Sequence, residues 1–435
     1  MGYWHPRGAA EPDWKKPLAF PGETHLITVG PPGCGKSMAV LVPNLLHLSN
    51  SIIVTDPKGE LAAITSKYRR TLGPVIILNP FGVLTDIRPD LASDGYNPLR
   101  HLNPHSKSYP DDCARIAEAL VKVTPGKSEH FSMSARQLIT AAIMRAGFTH
   151  EGCATIQHVR NLLSLPRKEF IELIGDMMTH EVDGELYMPL VNKASRFLSP
   201  TDEVSDVLST VSVQLESFDS IHISSDLAAG DFDFRRLKTE TITVYIILPP
   251  EELEQHSPWL RMIINNALYA LMTPPVPGRE SVIVILEEMY ATVGRLPVIE
   301  KVIGLVRGYG IQLWPIFQSL LQAQDLYGRN WESFIGTAGV LQSFAPGDTF
   351  TADYISKLAG KSTIGVPSVS GSNLSFSLTG VPLWLPQDLM KMGRGQTVLI
   401  GKSLPAPACA QVLHYSEVDW VSEFADANPY DRGLF

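Results

Sequence analysis

The stretch from His25 to Ser37 reads HLITVGPPGCGKS: an apolar strand, a glycine-rich turn, and a Lys-Ser pair leading into a helical pattern. Gly30 to Ser37 fits the spacing GxxxxGK[ST], and a strand before it with a helix after it is the context in which that spacing has a mechanism. The glycines let consecutive backbone N–H groups turn inward around phosphate oxygens, and the helix N-terminus adds the positive end of its dipole. The expected phosphate contacts are Gly30, Pro31, Pro32, Gly33, Cys34, Gly35, Lys36, Ser37 and Met38, with Lys36 on the terminal phosphates of ATP and Ser37 on Mg2+. A second Gly-Lys-Ser, at Gly360 to Ser362, serves as a control. Ile355 stands where the first glycine is required, so that site is rejected.

Working outward, the first hundred residues alternate short apolar runs with helical patterns: HLITV, a helix around 38–48, SIIVT from Ser51, another turn and helix, then VIIL from Val75. Continuous apolar strands separated by helices mark a parallel sheet covered on both faces. From about Asp111 the texture changes to apolar residues at three- and four-residue spacing, as in DDCARIAEALVKV and SARQLITAAIMRAG, with no convincing strand. Strand signals return with TITVYIIL from Thr241, a helix over Pro258 to Met272, SVIVIL from Ser281 and IQLWPIF from Ile311. The runs VLQSF and TVLIG extend the alternation around a helix DTFTADYISKLAG. One sheet interrupted by a helical insertion explains this order with a single continuous fold. The expected division is an N-terminal extension 1–22, a first nucleotide-binding part 23–108, an inserted all-α domain 109–232 and a second nucleotide-binding part 233–435. Val366 to Gly380, rich in Ser and Gly, reads as a loop.

The centre of SVIVILEEMYATVGRLP holds two acids at the end of an apolar strand, Glu287 and Glu288. In a P-loop hydrolase the first acid of such a strand handles magnesium and the second orients the attacking water. Where Asp is usual, Glu287 keeps the charge but moves the carboxylate outward by about 1.5 Å. Charge retention favours a working strand with retuned activity, and SVIVIL is too apolar for a sheet edge. Three other motifs have alternatives. Lys58 and Glu60 in DPKGEL face phosphate, face a neighbouring subunit, or form a solvated turn. Gln318, just past IQLWPIF, senses the terminal phosphate or is a plain strand-end amide; Arg307, before that strand, reaches a neighbour's nucleotide or is a surface arginine. Arg235, Arg236 and Lys238 form the densest basic cluster, which reads as a solvated loop.

At 435 residues and 44% hydrophobic content the chain can fill large cores, and its net charge of −9 leaves any polyanion to a local basic channel. Four scattered cysteines without metal spacing favour a reducing compartment over a disulfide scaffold. No run approaches the roughly 18–20 apolar residues of a membrane span, so the expectation is a soluble chain, either cytoplasmic or lacking a membrane anchor.

Together HLITVGPPGCGKS with VPNLL, IIVTDPKGEL, YNPL, EEMYATVGRLP, RGYGIQLWPIFQSLLQ, DYISKLAGKST and VPLWLPQDLMKMGRGQTVLIGKSLPAP resemble the coupling proteins of bacterial type IV secretion and conjugation, hexameric P-loop ATPases related to DNA translocases. The resemblance implies an α/β fold, a RecA-like nucleotide-binding domain with mainly parallel sheet plus an inserted all-α domain. It implies Lys36 and Ser37 as phosphate and magnesium contacts, Glu287 and Glu288 as the acidic pair, Arg307 as an arginine finger acting across a subunit interface, and Gln318 as the following motif's glutamine. A trans-acting arginine requires a ring, hence a homohexamer. Also implied are type IV secretion channel components, DNA or secreted protein cargo with a relaxase or adaptor, and a place at the cytoplasmic face of the bacterial inner membrane. Glu287 in place of Asp and the lack of an N-terminal transmembrane region depart from the family pattern. A nucleotide-dependent recruitment platform for effector proteins, with slow or absent hydrolysis, is the alternative to a motor.

Overall fold

The computed structural model describes residues 2–6, 9–122, 129–198, 202–370 and 373–431. Its main sheet is built from β1 (Gly2–Trp4), β2 (Pro17–Leu18), β3 (His25–Val29), β4 (Ile52–Thr55), β5 (Val75–Leu78), β6 (Thr243–Ile246), β7 (Val282–Leu286), β8 (Ile311–Phe317) and β9 (Ala338–Ser343). After a separate hairpin of β10 (Lys361–Ser370) and β11 (Asn373–Pro382), it is completed by β12 (Gln396–Ile400) and β13 (Ala408–Gln411). The strand order is β2-β1-β13-β12-β9-β3-β8-β7-β4-β6-β5. From β9 to β5 every neighbouring pair is parallel, and the pairs from β9 to β2 are antiparallel.

Alternate residues of a strand point to opposite faces, and here both faces are covered. Val282, Val284 and Leu286 of β7 belong to one core, with the helical block and the helix Leu253–Leu271; Ile283 and Ile285 belong to the other, with Leu41, Leu45 and Leu61. That is why the strand reads as an unbroken apolar run, and β7 sits between β8 and β4 at the centre of the parallel part of the sheet.

Among the described residues, seven α-helices from Tyr109–Leu120 to Ile221–Ala228 lie between β5 and β6, and they share a core with one sheet face. A two-residue strand pair, Glu181–Val182 with Glu185–Leu186, interrupts them. The sequence carried its signal in Asp183-Gly184, whose φ values of 55° and 80° make the turn that closes a tight hairpin.

Three further expectations change. The segment read as a loop, 366–380, lies within the β10–β11 hairpin, whose register runs from Lys361 opposite Pro382 to Ser370 opposite Asn373. Serine-rich composition masked a period-two pattern. The helix expected from Pro258 begins at Leu253, with Pro258 inside it. The N-terminal extension contributes strands: β1 pairs with β13 and β2, and Lys16 Nζ lies 4.6 Å from the Trp4 ring centre. The rejected Gly360-Lys361-Ser362 follows a helix and opens a strand, the reverse of the order a phosphate loop needs. Among the described residues no helix is long and apolar enough to cross a membrane.

Candidate nucleotide site

Sheet register assembles the site. Val29 of β3 pairs with Phe317 of β8, and Leu286 of β7 pairs with Thr55 of β4. The next residues put Gly30 beside Gln318 and Glu287 beside Asp56, with Gln318 two residues further along because Pro315 pairs with Leu286. All four lie at the carboxyl edge of the parallel sheet, where open α/β folds place their ligands.

Gly30 bonds Phe317 O through its N–H at 3.0 Å. A Cβ there would lie 2.7 Å from Cys34 Sγ and 2.8 Å from Phe344 Cβ, so no larger residue fits. Gly33 and Gly35 take φ of 74° and 98°, the left-handed turns that fold the loop into a cradle. A π-helical segment Lys36–Leu41 follows and continues as the α-helix Val42–His47. Pro43 has no N–H for a regular ladder, and Asn44 Nδ2 takes the Val40 carbonyl at 2.7 Å. Cys34 is half-buried, and burial pushes its thiol pKa up, which matches a small packing residue rather than a reactive one.

Lys36 is buried, and its Nζ donates to Gly30 O at 2.6 Å and Pro31 O at 3.1 Å. The same ammonium lies 3.5 Å from Glu288 Oε1. Gln318 Nε2 donates to the other oxygen of that carboxylate, Oε2, at 2.8 Å. Glu288 adopts φ of 48°, a left-handed conformation that costs a non-glycine residue about 1 kcal/mol. The turn is held by Thr292 Oγ1, which lies 3.0 Å from Glu287 O and 3.1 Å from Glu288 O, and by Met289 N bonding Ile316 O at 3.1 Å.

Glu287 is buried, and the Ser37 hydroxyl donates directly to its Oε1. Thr55 Oγ1 donates to the Glu287 backbone carbonyl at 3.2 Å, tying β4 to this turn. Burial pushes the Glu287 carboxyl up to about 8; the charges of Asp56, Glu288 and Glu60 add to the rise and the Ser37 bond opposes it. Asp56 is raised to about 7, mainly by burial. Its Oδ2 accepts from Ala62 N at 2.8 Å, while its Oδ1 is buried without a hydrogen-bond partner. Buried carboxylates in this number, beside a serine hydroxyl, are an oxygen donor set that suits a hard divalent cation. Ser37 and Glu287 are the groups that would hold it.

Met38 Sδ and Glu60 Oε1 both accept from Asn428 Nδ2, at 3.6 and 2.7 Å, and Tyr430 OH donates to Lys58 O at 2.8 Å. The C-terminal segment therefore folds over the DPKGEL turn. Neither it nor the buried role of Asp56 was foreseen; the Asp was visible in the motif, and aligning SIIVT beside SVIVIL would have placed it next to Glu287. Arg307 is exposed and lies at the opposite sheet edge, before β8 and beside Ser281 and Glu23. The seven residues of β8 separate it from Gln318, roughly 23 Å at about 3.3 Å per residue, so it is not brought to its own chain's phosphate loop. The basic cluster is consumed locally: Arg235 pairs with Asp233, Arg236 with Glu240, and Lys238, far from solvated, donates to Tyr309 O at 2.7 Å.

The family model described as "Type IV secretory system Conjugative DNA transfer" matches residues 7–430. The chain belongs to that conjugative transfer family. Among family relatives, a conjugal transfer protein TraG of Escherichia coli is 26% identical over 407 residues, covering 86% of this chain and 63% of TraG. VirD4 of Agrobacterium fabrum is 25% identical over 420 residues, covering 93% of this chain and 61% of VirD4. This chain thus spans about three fifths of the length of these curated relatives. The solved bacterial conjugative coupling protein TrwB lacking its N-terminal segment superposes with a TM-score of 0.71 at 16% identity, over 90% of this chain and 85% of that one. The likeness shows the shared RecA-like P-loop fold of this transfer family.

Proposed function

We propose that this chain is the nucleotide-hydrolysing part of a type IV coupling protein, which binds ATP with Mg2+ and drives transfer of DNA or protein substrates to a secretion channel. The observation that carries this reading is the convergence of Lys36, Glu288 and Gln318 at one carboxyl edge, with Ser37 bonded to Glu287 beside them. It is supported by TrwB, a fold relative solved in complex with ADP and Mg2+. In this assignment the loop from Gly30 to Met38 cradles the phosphates and Lys36 leaves the loop carbonyls for the terminal phosphate. Glu288, oriented by Gln318, positions the attacking water. Ser37 and Glu287 would hold Mg2+, whose chemistry there would be neutralisation of phosphate charge.

Arg307 lies a strand length from its own loop, so in this reading it serves the nucleotide of the next subunit in a homohexameric ring, at the cytoplasmic face of the inner membrane. In the same reading residues 109–232, helical but for the strand pair at 181–186, are the inserted domain that meets cargo or an adaptor. The test is to mix two inactive variants, Lys36→Ala and Arg307→Ala. In a randomly mixed ring a site keeps its own lysine half the time and gains a neighbour's arginine half the time, so about a quarter of wild-type hydrolysis returns. Mixtures no more active than either variant alone rule out the shared site.

A further inference from the structure

The end of β4 carries a carboxylate whose surroundings a helix cap does not explain. Thr55 pairs with Leu286, so Asp56 and Glu287 are neighbours on adjacent parallel strands, which run about 4.8 Å apart. Asp56 is only 1% exposed. One oxygen, Oδ2, is committed to the first turn of the helix Glu60–Leu72 through Ala62 N at 2.8 Å, and the Glu60 and Leu61 N–H groups of that turn also act on the carboxylate. The other, Oδ1, has no hydrogen-bond partner. A cap needs a single acceptor, which Ser, Thr or Asn supplies without charge. Burying a carboxylate with an unsatisfied oxygen beside a second buried carboxylate is costly unless a proton neutralises it or a cation completes the pair. The Glu60 carboxylate acts on Asp56, and Asp56, Glu288 and Glu60 all act on Glu287, while the ammonium of Lys36 is already engaged with Glu288 and with loop carbonyls.

We propose that Asp56 is the second protein carboxylate of the divalent-cation site: Oδ2 fixes the carboxylate on the helix Glu60–Leu72, and Oδ1 receives the hydration shell of the cation held by Ser37 and Glu287. This rests on the nucleotide-site reading given above. Magnesium is commonly bound through one or two carboxylates plus substrate phosphates, with several waters retained, so a pair of carboxylates is enough. Asp56 is then a positioning residue that acts through the metal's water shell, and its removal is felt in metal affinity before anything else.

The experiment measures binding of N-methylanthraniloyl-ADP to the full chain by fluorescence, with Mg2+ and again with EDTA. The proposal expects Asp56→Asn to bind in EDTA within about twofold of wild type and to lose about tenfold of the tightening that Mg2+ confers. Asp56→Ser keeps an acceptor oxygen for the Ala62 N–H and removes the charge; it is expected to lose the same tightening, and it decides the matter if the Asn variant fails to fold. An equal loss of affinity with Mg2+ and with EDTA, accompanied by a lower melting temperature, overturns the proposal in favour of a cap alone. Undiminished Mg2+ tightening in either variant, with wild-type binding abolished by Lys36→Ala, overturns the role of Asp56 and leaves the nucleotide site standing. If wild type binds no nucleotide at all, the nucleotide-site reading fails and this proposal fails with it.

Discussion

The Gln318 side-chain amide donates to Glu288 Oε2 at 2.8 Å, across the gap between the ends of β8 and β7. The contact joins a strand-end amide to the carboxylate assigned to the attacking water, and the other carboxylate oxygen faces Lys36. An amide in this position fixes a rotamer rather than binding energy. Replacing Gln318 by Ala is therefore expected to lower single-turnover hydrolysis about 10- to 100-fold while nucleotide affinity changes less than about threefold. Rapid-quench hydrolysis beside equilibrium nucleotide binding checks this; a parallel loss of both would assign Gln318 to binding.

Glu287 reaches the Ser37 hydroxyl because its side chain is one methylene longer than aspartate. Glu287→Asp withdraws the carboxylate by about 1.5 Å and opens the direct contact with the Ser37 hydroxyl, so that both groups are released to hold a divalent cation. Turnover is expected to rise about 2- to 10-fold, with Glu287→Gln losing the magnesium response. Steady-state phosphate release over a magnesium titration gives both numbers.

Arg69 is among the largest fully buried side chains and clamps the far end of the phosphate-loop helix. Its guanidinium donates to the Leu48 carbonyl, to Asn50 O at 2.6 Å and to Thr243 Oγ1 at 2.7 Å, so one side chain ties the helix C-terminus to β6. Burial pulls its pKa down, yet these acceptors and the negative end of the helix dipole hold the charge in place. Arg69→Met strands several carbonyls and is expected to cost about 3–5 kcal/mol. Arg69→Lys, unable to span three acceptors in a plane, recovers only part of that. Urea denaturation of the nucleotide-free protein measures the difference.

Asp226 sits in the helix Ile221–Ala228, where it accepts from the Ser93 hydroxyl, and burial raises its pKa from 3.8 to about 6. A carboxyl whose folded pKa exceeds its unfolded value binds protons more tightly when folded, so its ionisation costs stability as pH rises from about 4 through about 6. Asp226→Asn avoids that cost. The variant is expected to be about 1–2 kcal/mol more stable than wild type at pH 7.5, with the advantage vanishing below about pH 4. Paired denaturation curves at the two pH values decide it, and an advantage independent of pH would point to packing instead.

The parallel core was legible because burial on both faces writes each central strand as an unbroken apolar run, as in Val282–Leu286, and because the glycine positions of the phosphate loop are dictated by backbone geometry. Gln318 and Glu288 were legible singly, each as a polar residue at a strand end. Their hydrogen bond was not, since it depends on which strands are neighbours. Asp56 was passed over for the same reason: its significance comes from lying beside Glu287, which a separation of 231 positions in the sequence conceals (287 − 56). The β10–β11 hairpin escaped because serine and glycine dominate its composition, and the strands at the N-terminus because two- and three-residue strands carry too few positions for a period to show. Arg307 shows the limit from the other side. Its place in the sequence drew it toward the nucleotide, and the fold puts it at the far edge of the same sheet.

The central claim is that this carboxyl edge hydrolyses ATP, and single-turnover hydrolysis of radiolabelled ATP by the assembled protein tests it most directly. Wild type, Lys36→Ala and Glu288→Gln are compared with Mg2+, with and without DNA. The account predicts that Lys36→Ala loses nucleotide binding and hydrolysis together, and that Glu288→Gln binds nucleotide normally while hydrolysing at least about 100-fold more slowly than wild type. Wild-type hydrolysis no faster than that of Lys36→Ala under every one of these conditions would contradict it.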